Sequence, residues 1–191
     1  MRQFTIDWLG QKKEWDPYHS KLAAALACGL KENPIKKGSI LLYLGASTGT
    51  TVSHVSNIVS RAGFIYAVEF AERVFTSLVK LAEQRKNIMP LLADARKPNE
   101  YGFVEKVDVV YVDIAQPDEV RIAILNTDKF LKKDGFLMMA IKSQSIDVVK
   151  NPRDVYKESC KELEENGFAV IECVDINRFE RCHAFIIARK L

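Results

Sequence analysis

The sequence predicts an α/β fold with a doubly wound, mostly parallel sheet of seven strands. The run ILLYL at Ile40–Leu44 is apolar, β-branched or aromatic throughout, which is typical of a strand buried on both faces. From there onward, runs of strand length alternate with helical stretches, as in βαβ units. The last two predicted strands follow each other too closely for a helical crossover, so they should form an antiparallel hairpin.

The chain is predicted to divide into a short N-terminal extension, residues 1–15, and a main domain, residues 16–191. In the extension, Phe4, Ile6 and Trp8 alternate with other residues before a glycine and a charged run. This pattern could be a small hairpin or a strand that caps the sheet.

The first helix of the main domain is predicted over the run KLAAALACGL. Ser20 is a plausible N-cap, and the composition is strongly helix-forming as far as Gly29. Lys21 would then lie in the first turn, where its charge opposes the helix dipole. Another interaction must therefore justify a lysine at this position.

The later elements follow from apolar periodicity. Val52, Val55 and Val59 recur at helical spacing, so a helix is predicted to begin after Gly49. Further strands are predicted at 64–68, 88–92, 107–112, 135–141, 168–174 and 184–188, and further helices at 71–83, 117–130 and about 153–166.

A turn of small residues, GASTG from Gly45 to Gly49, joins the first sheet strand to its helix. Backbone can approach a ligand closely at such a turn, and the free N–H groups of the helix N-terminus favour an anionic group. A nucleotide-type cofactor would suit this place. The spacing GxxxG is not the GxGxxG of dinucleotide enzymes, so a purely structural tight turn is the alternative.

Polar residues end the other predicted parallel strands. Glu69, Asp94, Asp113 and Lys142 each follow an apolar run, and the carboxyl ends of parallel strands meet at one edge of the sheet. Glu69 is spaced to accept hydrogen bonds from ribose hydroxyls. Asp94 could accept from an adenine amino group or could be a capping residue.

Composition limits the function classes. The 191 residues suit one domain, and the net charge of +3 is too small to require a polyanionic partner. No apolar run reaches membrane-spanning length, and there is no signal-peptide pattern, so a cytoplasmic protein without a membrane partner is expected. The four cysteines form no CxxC pair, so they are interpreted as reduced, mostly buried thiols, and no metal site is predicted.

Five runs together carry a resemblance to a known family. They are LYLGASTGTTVSHVSNIV, YAVEF, DAR, VYVDIAQP and AIKSQSID, in this order and spacing. The chain resembles fibrillarin, specifically the archaeal fibrillarin-like RNA 2′-O-methyltransferases, from about Trp15 to its end. The resemblance implies a class I, Rossmann-like fold that depends on S-adenosyl-L-methionine.

The resemblance also implies which residues hold this cofactor. The glycine turn and its helix would contact the methionine part, the acidic strand ends the ribose and adenine, and the DIAQ segment the region of the transferring methyl. The implied residues are Gly45, Ala46, Thr50, Thr51, Glu69, Phe70, Asp94, Ala95, Asp113, Ile114, Ala115 and Gln116.

Members of the family gather Lys, Asp, Lys and a further polar residue around the ribose acceptor, which implies Lys21, Asp113, Lys142 and His183 here. Transfer to a ribose hydroxyl requires orientation and removal of a proton. Asp113 would orient a lysine, one lysine would accept the proton, and the other would stabilise the alkoxide. Which lysine does which stays open at this stage.

The chain departs from the family pattern in three places. His19 and Cys182 stand where members more often carry arginine and aspartate. Members also usually precede the SKLAA helix with a small β-rich domain, of which residues 1–15 are predicted to be a remnant.

The function implied by the resemblance is guide-directed methylation of ribose 2′-hydroxyls in rRNA, with tRNA as a further target. The implied partners are a C/D box guide RNA, the target RNA, a Nop-type scaffold protein and a kink-turn-binding protein of the ribosomal type. Two alternatives are a non-catalytic RNA-assembly paralogue and a nicotinamide-dependent oxidoreductase. The oxidoreductase would predict GxGxxG and a substrate domain, and the sequence has neither.

Overall fold

A computed structural model describes residues 3–7 and 9–191. Within them, the strands are β1 Gln3–Ile6, β2 Lys12–Trp15, β3 Ile40–Leu44, β4 Phe64–Glu69, β5 Ile88–Leu92, β6 Val107–Val112, β7 Leu131–Lys142, β8 Phe168–Asp175 and β9 His183–Lys190. The α-helices are α1 Lys21–Ala27, α2 Thr50–Val59, α3 Glu72–Gln84, α4 Glu119–Phe130, α5 Ser143–Ile146 and α6 Pro152–Glu165, and a short 3-10 turn, Ser60–Ala62, follows α2.

The main sheet has the order β5-β4-β3-β6-β7-β9-β8, which confirms the predicted doubly wound architecture. β3 pairs in parallel with β4 on one side and β6 on the other, so the winding reverses between β3 and β6. β9 lies between β7 and β8 and is antiparallel to both, which confirms the C-terminal hairpin. Ligands of such sheets bind beyond the strand ends at the reversal point.

Both faces of β3 are buried, as its composition predicts. On one face, Tyr43 stacks on Tyr111 of β6 with ring centroids 4.3 Å apart, in the core that includes α1 and α2. On the other face, Leu42 packs with Val110 in the core that includes α4 and α6. Full burial of a large apolar side chain contributes about 1.5–3 kcal/mol, so these two cores fix a helical layer on each side of the strand ends.

The N-terminal segment is an antiparallel hairpin of β1 and β2, which is one of its two predicted forms. Trp8, part of the predicted alternation, lies outside the described residues. Trp15 is 3% exposed and stacks on His54 of α2, with ring centroids 4.9 Å apart. The Thr5 hydroxyl is hydrogen-bonded to His54 Nδ1 at 2.9 Å. The hairpin is thus docked on α2, the helix that follows the glycine turn.

A Trp15→Ala variant is expected to lose about 3 kcal/mol of unfolding free energy, because the lost ring leaves a cavity against His54. Urea unfolding monitored by circular dichroism measures this loss. Phe4→Ala is the matched control in the same hairpin, since Phe4 is 41% exposed, and we expect it to cost less than about 1 kcal/mol. Equal unfolding midpoints for both variants would contradict a stabilising role for the docked tryptophan.

Some element bounds differ from the prediction for physical reasons. β7 begins at Leu131 rather than 135, because the charged residues at its start conceal the strand pattern. One of them, Lys132, is held by Asp108 of β6 with 2.6 Å between Nζ and Oδ1. α4 begins at Glu119 rather than 117, and the four-residue helix α5 was not predicted.

The surface differs from expectation in one respect. The cysteines are free thiols, but the prediction that they are mostly buried was wrong, since Cys173 is exposed and the other three are half-buried. None of the helices in the described part of the chain combines the length and the apolar character needed to cross a membrane.

Candidate active site

The glycine turn brings the end of β3 against the end of β6. Gly45 has φ +82°, and a Cβ at this position would overlap the main-chain carbonyl of Asp113. Only glycine combines this conformation with such close approach. The turn therefore sets Asp113 directly beside the start of the loop that leads to α2.

The Glu69 carboxylate fixes the turn to the end of β4. One oxygen accepts a hydrogen bond from the Ser47 N–H at 2.7 Å, and the other accepts from the Ala71 N–H at 2.7 Å. Hydrogen bonds to a charged acceptor are the stronger kind. Glu69, which is predicted to bind the cofactor, thus also stabilises the turn.

A cleft of about 350 Å³ opens above the reversal point of the sheet. Nine of the twelve predicted cofactor residues line it, and the remaining three, Ala46, Thr50 and Thr51, do not. Phe70 is 73% exposed at its rim. The predicted residues that line the cleft are Gly45, Glu69, Phe70, Asp94, Ala95, Asp113, Ile114, Ala115 and Gln116.

The three other residues lie around the glycine turn. Ala46 is buried and Thr50 is the exposed first residue of α2. The Thr51 hydroxyl donates to Ser20 Oγ at 3.0 Å, and Ser20 is the N-cap of α1, as predicted. This hydrogen bond connects the helix of the turn to the helix that carries Lys21.

Arg96 forms a bridge over the cleft that the sequence reading missed. Its guanidinium makes two hydrogen bonds to the Asp118 carboxylate, at 2.7 and 3.0 Å, and a third to Gln116 Oε1 at 2.7 Å. Arg96 follows β5, and its two partners follow β6. The bridge therefore joins the two loops that border the cleft. In the sequence, Arg96 appears only as the last residue of the run DAR.

Lys21 and Asp113 form an ion pair at the end of the cleft, with 2.8 Å between Nζ and Oδ1. The side chains are 26% and 17% exposed, so the pair is only partly screened by water. This contact is the interaction that justifies a lysine in the first turn of α1. It brings two of the four predicted catalytic residues together.

Asp113 also determines the charge state of this lysine. Burial by itself lowers the pKa of Lys21, but the attraction and hydrogen bond of Asp113, with a further contribution from Glu180, outweigh it and raise the pKa above its ordinary value. Lys21 is therefore protonated throughout the neutral range.

The other two predicted catalytic residues face each other across β7 and β9. Lys142 and His183 are paired in the antiparallel register, so their side chains emerge on the same face of the sheet. By alternation, this is the face of Ala140 and Phe185, which belong to the core beneath α1. Lys142 does not line the cleft itself.

His183 is 3% exposed, and its Nδ1 lies 2.7 Å from the Arg181 carbonyl oxygen. Because a carbonyl only accepts, Nδ1 carries the proton, and the unprotonated Nε2 is the acceptor of the neutral ring. Burial, assisted by Lys21, lowers the pKa of His183, although the Arg181 carbonyl opposes this. A neutral His183 can orient a polar partner but does not supply a positive charge.

These features define a class of protein. The strand order, the glycine turn at the reversal point and the acidic ends of β4 and β5 around one cleft are those of class I S-adenosylmethionine-dependent methyltransferases. The chain belongs to the fibrillarin family, because the model of that family, described as fibrillarin, matches residues 5–191.

Individual relatives agree with this assignment. The fibrillarin-like rRNA/tRNA 2′-O-methyltransferase of Sulfolobus acidocaldarius is 51% identical over 178 residues, which cover 93% of this chain and 77% of that protein. Aeropyrum pernix fibrillarin, solved with natively bound S-adenosyl-L-methionine, has 44% identity and a TM-score of 0.86 over 98% of this chain and 82% of its own. A chain from a fibrillarin/Nop5p complex has 39% identity and a TM-score of 0.92, over 98% and 93%.

Proposed function

We propose that this protein transfers methyl groups from S-adenosyl-L-methionine to ribose 2′-hydroxyls of rRNA, and of tRNA, directed by a guide RNA within a C/D box ribonucleoprotein. The observation that carries the proposal is the Lys21–Asp113 ion pair of 2.8 Å at the end of the cleft. A non-catalytic paralogue would have no need to keep a half-buried lysine paired in this way. Membership of the fibrillarin family leaves the oxidoreductase alternative without support.

The cleft fits the cofactor by size and by its donor and acceptor groups. Its volume is in the range of pockets for small molecules. Glu69 would accept from the ribose hydroxyls, Asp94 with Ala95 would receive the adenine amino group, and the exposed ring of Phe70 would lie against the base. When bound, the cofactor supplies an activated methyl group on a sulfonium.

The methionine part would be held at the glycine turn. Gly45 lets the backbone approach, and the N-terminus of α2, with Ala46, Thr50 and Thr51, would attract its carboxylate. The segment from Ile114 to Gln116, which includes Ala115, would then lie beside the methyl group. The Arg96 bridge would hold this segment closed over the cofactor.

The four residues proposed for catalysis would have separate roles. Lys21, kept protonated by Asp113, would stabilise the negative charge that develops on the ribose oxygen. Lys142, whose side chain emerges beside His183, would accept the proton of the hydroxyl on its unprotonated amine. His183, with its unprotonated Nε2 as an acceptor, would orient the acceptor ribose. Asp113 would position Lys21 and border the methyl group.

Glu69→Ala is expected to weaken S-adenosylmethionine binding by roughly 1.5–3 kcal/mol, because it removes a charged hydrogen-bond acceptor and releases the Ser47 N–H. Isothermal titration calorimetry of the free protein measures this change. Glu83→Ala is the matched control, since Glu83 is an exposed residue on α3. Unchanged affinity in the Glu69 variant would remove that residue from the cofactor site.

A surface beside Lys21 could hold the RNA strand. Tyr18 is 63% exposed and packs edge-on against Phe179, with centroids 5.2 Å apart. The Arg178 guanidinium lies 5.2 Å from the Phe179 ring, and Arg181 is exposed on the same loop. An exposed aromatic ring with neighbouring arginines suits stacking on a base and contact with a phosphate.

The partners follow from the family. A fibrillarin relative has been solved with Nop5p, which supports a Nop-type scaffold here. A kink-turn-binding protein, a guide RNA and the paired target would complete the particle. The archaeal relatives support the cytoplasm as the place of reaction. The division into an N-terminal segment of residues 1–15 and a methyltransferase domain of residues 16–191 is part of the same proposal.

A further inference from the structure

Glu119 is a buried carboxyl group that none of the roles above uses. It is the first residue of α4 and has 0% exposure. Its main-chain N–H donates to the Gln116 carbonyl at 3.3 Å. Glu119 therefore lies directly behind the segment that closes the cleft, yet it does not line the cleft itself.

The carboxyl group contacts the main chain of a proposed catalytic residue. Glu119 Oε1 accepts a hydrogen bond from the Lys142 N–H at 3.1 Å, where β7 ends and α5 begins. Glu119 Oε2 is buried, and no hydrogen-bond partner is found for it within residues 3–7 and 9–191. A bare carboxylate oxygen is costly in such a place, whereas a protonated carboxyl brings no net charge.

The charged groups that face Glu119 are Asp113 after β6 and Lys21 on α1, and β7 contributes the Lys142 N–H. Burial raises the pKa of Glu119 to about 8, and Asp113 adds to this, whereas the N–H groups of Lys142 and Gln116 and the charge of Lys21 oppose it. The group is therefore protonated at neutral pH. If it ionised, a second negative charge would compete with Asp113 for Lys21.

We propose that Glu119 is a positioning residue that works as an uncharged acid, fixing the main chain of Lys142 while leaving Lys21 paired with Asp113. The inference rests on the proposed function, because Lys142 and Lys21 are the groups it would position. It predicts that shape and hydrogen bonding at this position matter, and that negative charge is harmful.

The test compares wild type, Glu119→Gln and Glu119→Ala in the assembled particle, by single-turnover methyl transfer from about pH 6 to about pH 9.5. Glutamine keeps the shape and the acceptor but cannot ionise. Its rate is expected to lie within about twofold of wild type at pH 7, and it should lack the fall in rate that wild type shows as pH rises through about 8. The alanine variant should be at least about tenfold slower, with cofactor affinity within about threefold of wild type.

Wild-type rates in Glu119→Ala would overturn the positioning role, and equal losses in both variants at pH 7 would overturn the uncharged state.

A second readout does not depend on activity or on folding of the alanine variant. In free wild-type protein, the carboxyl ¹³C resonance absent from Glu119→Gln should titrate near pH 8, and a midpoint below about 5 would contradict the proposal. A wild-type particle that transfers no methyl would count against the proposed function, while the titration would still decide the state of Glu119.

Discussion

Lys142→Ala is expected to slow single-turnover methyl transfer about 10³-fold while S-adenosylmethionine affinity stays within about threefold of wild type. The side chain emerges beside His183 on the face of α1, but Lys142 does not line the cofactor cleft. Its loss would therefore remove the proposed proton acceptor without removing a residue of the cleft proposed for the cofactor. The rate is measured with labelled cofactor at saturation, in the assembled particle.

Lys133→Ala is the matched control, because Lys133 is an exposed lysine on the same strand. It should leave the rate unchanged.

Asp113→Ala should lose at least as much activity as Lys142→Ala, because it leaves a half-buried Lys21 unpaired. It should also lose cofactor affinity, because Asp113 lines the cleft. Rates near wild type in Lys142→Ala and in Asp113→Ala would refute the catalytic assignment.

The isolated protein is expected to bind S-adenosylmethionine but to methylate RNA on the order of 10³-fold more slowly than the assembled particle. The net charge of +3 offers little sequence-independent grip on an RNA strand. A guide duplex held by a scaffold would instead present one hydroxyl in position, which is where most of the rate gain of an in-line transfer arises. A tritium-transfer assay with and without scaffold, kink-turn protein and guide measures the difference.

A particle with a guide that does not pair with the target is the control for this comparison. It should be as inactive as the protein alone, because base pairing supplies the sequence selection. Equal site-specific activity of the isolated protein and the full particle would mean that this chain recognises RNA by itself. The surface around Tyr18 and Phe179 would then have to provide the recognition.

The elements that border the cleft could be predicted largely from the sequence. The bounds of β3, β5 and β6 agree with the apolar runs. Glu69 ends β4, Asp94 lies two residues after β5, and both line the cleft. These features depend on local patterns, since strand length, a glycine turn and a polar end are read within a few residues. Lys21 is an intermediate case. Its conflict with the helix dipole indicated that a partner was needed, and that partner is Asp113.

The features that could not be predicted depend on contacts between distant segments. The Arg96 bridge joins loops after different strands, and the Thr51 hydroxyl is occupied by Ser20 of another helix. In the sequence, Glu119 resembles any acidic residue at a helix start. Only its burial and its hydrogen bond from the Lys142 N–H indicate that its carboxyl group differs from an exposed one. No periodicity encodes such pairings, because they arise when the sheet order brings the loops together.

The position of β9 between β7 and β8 affects the order in which the sheet can form during synthesis of the chain. β9 is synthesised after every other strand of the sheet, yet it pairs with two of them. While the ribosome is still adding this strand, β3 to β6 can already pair, because their neighbours in the sheet have all emerged. The pairing of Lys142 with His183 cannot form until β9 inserts. On the proposed residue roles, the strands around the cleft for the methyl donor would thus be paired before Lys142 and His183 come together at the acceptor.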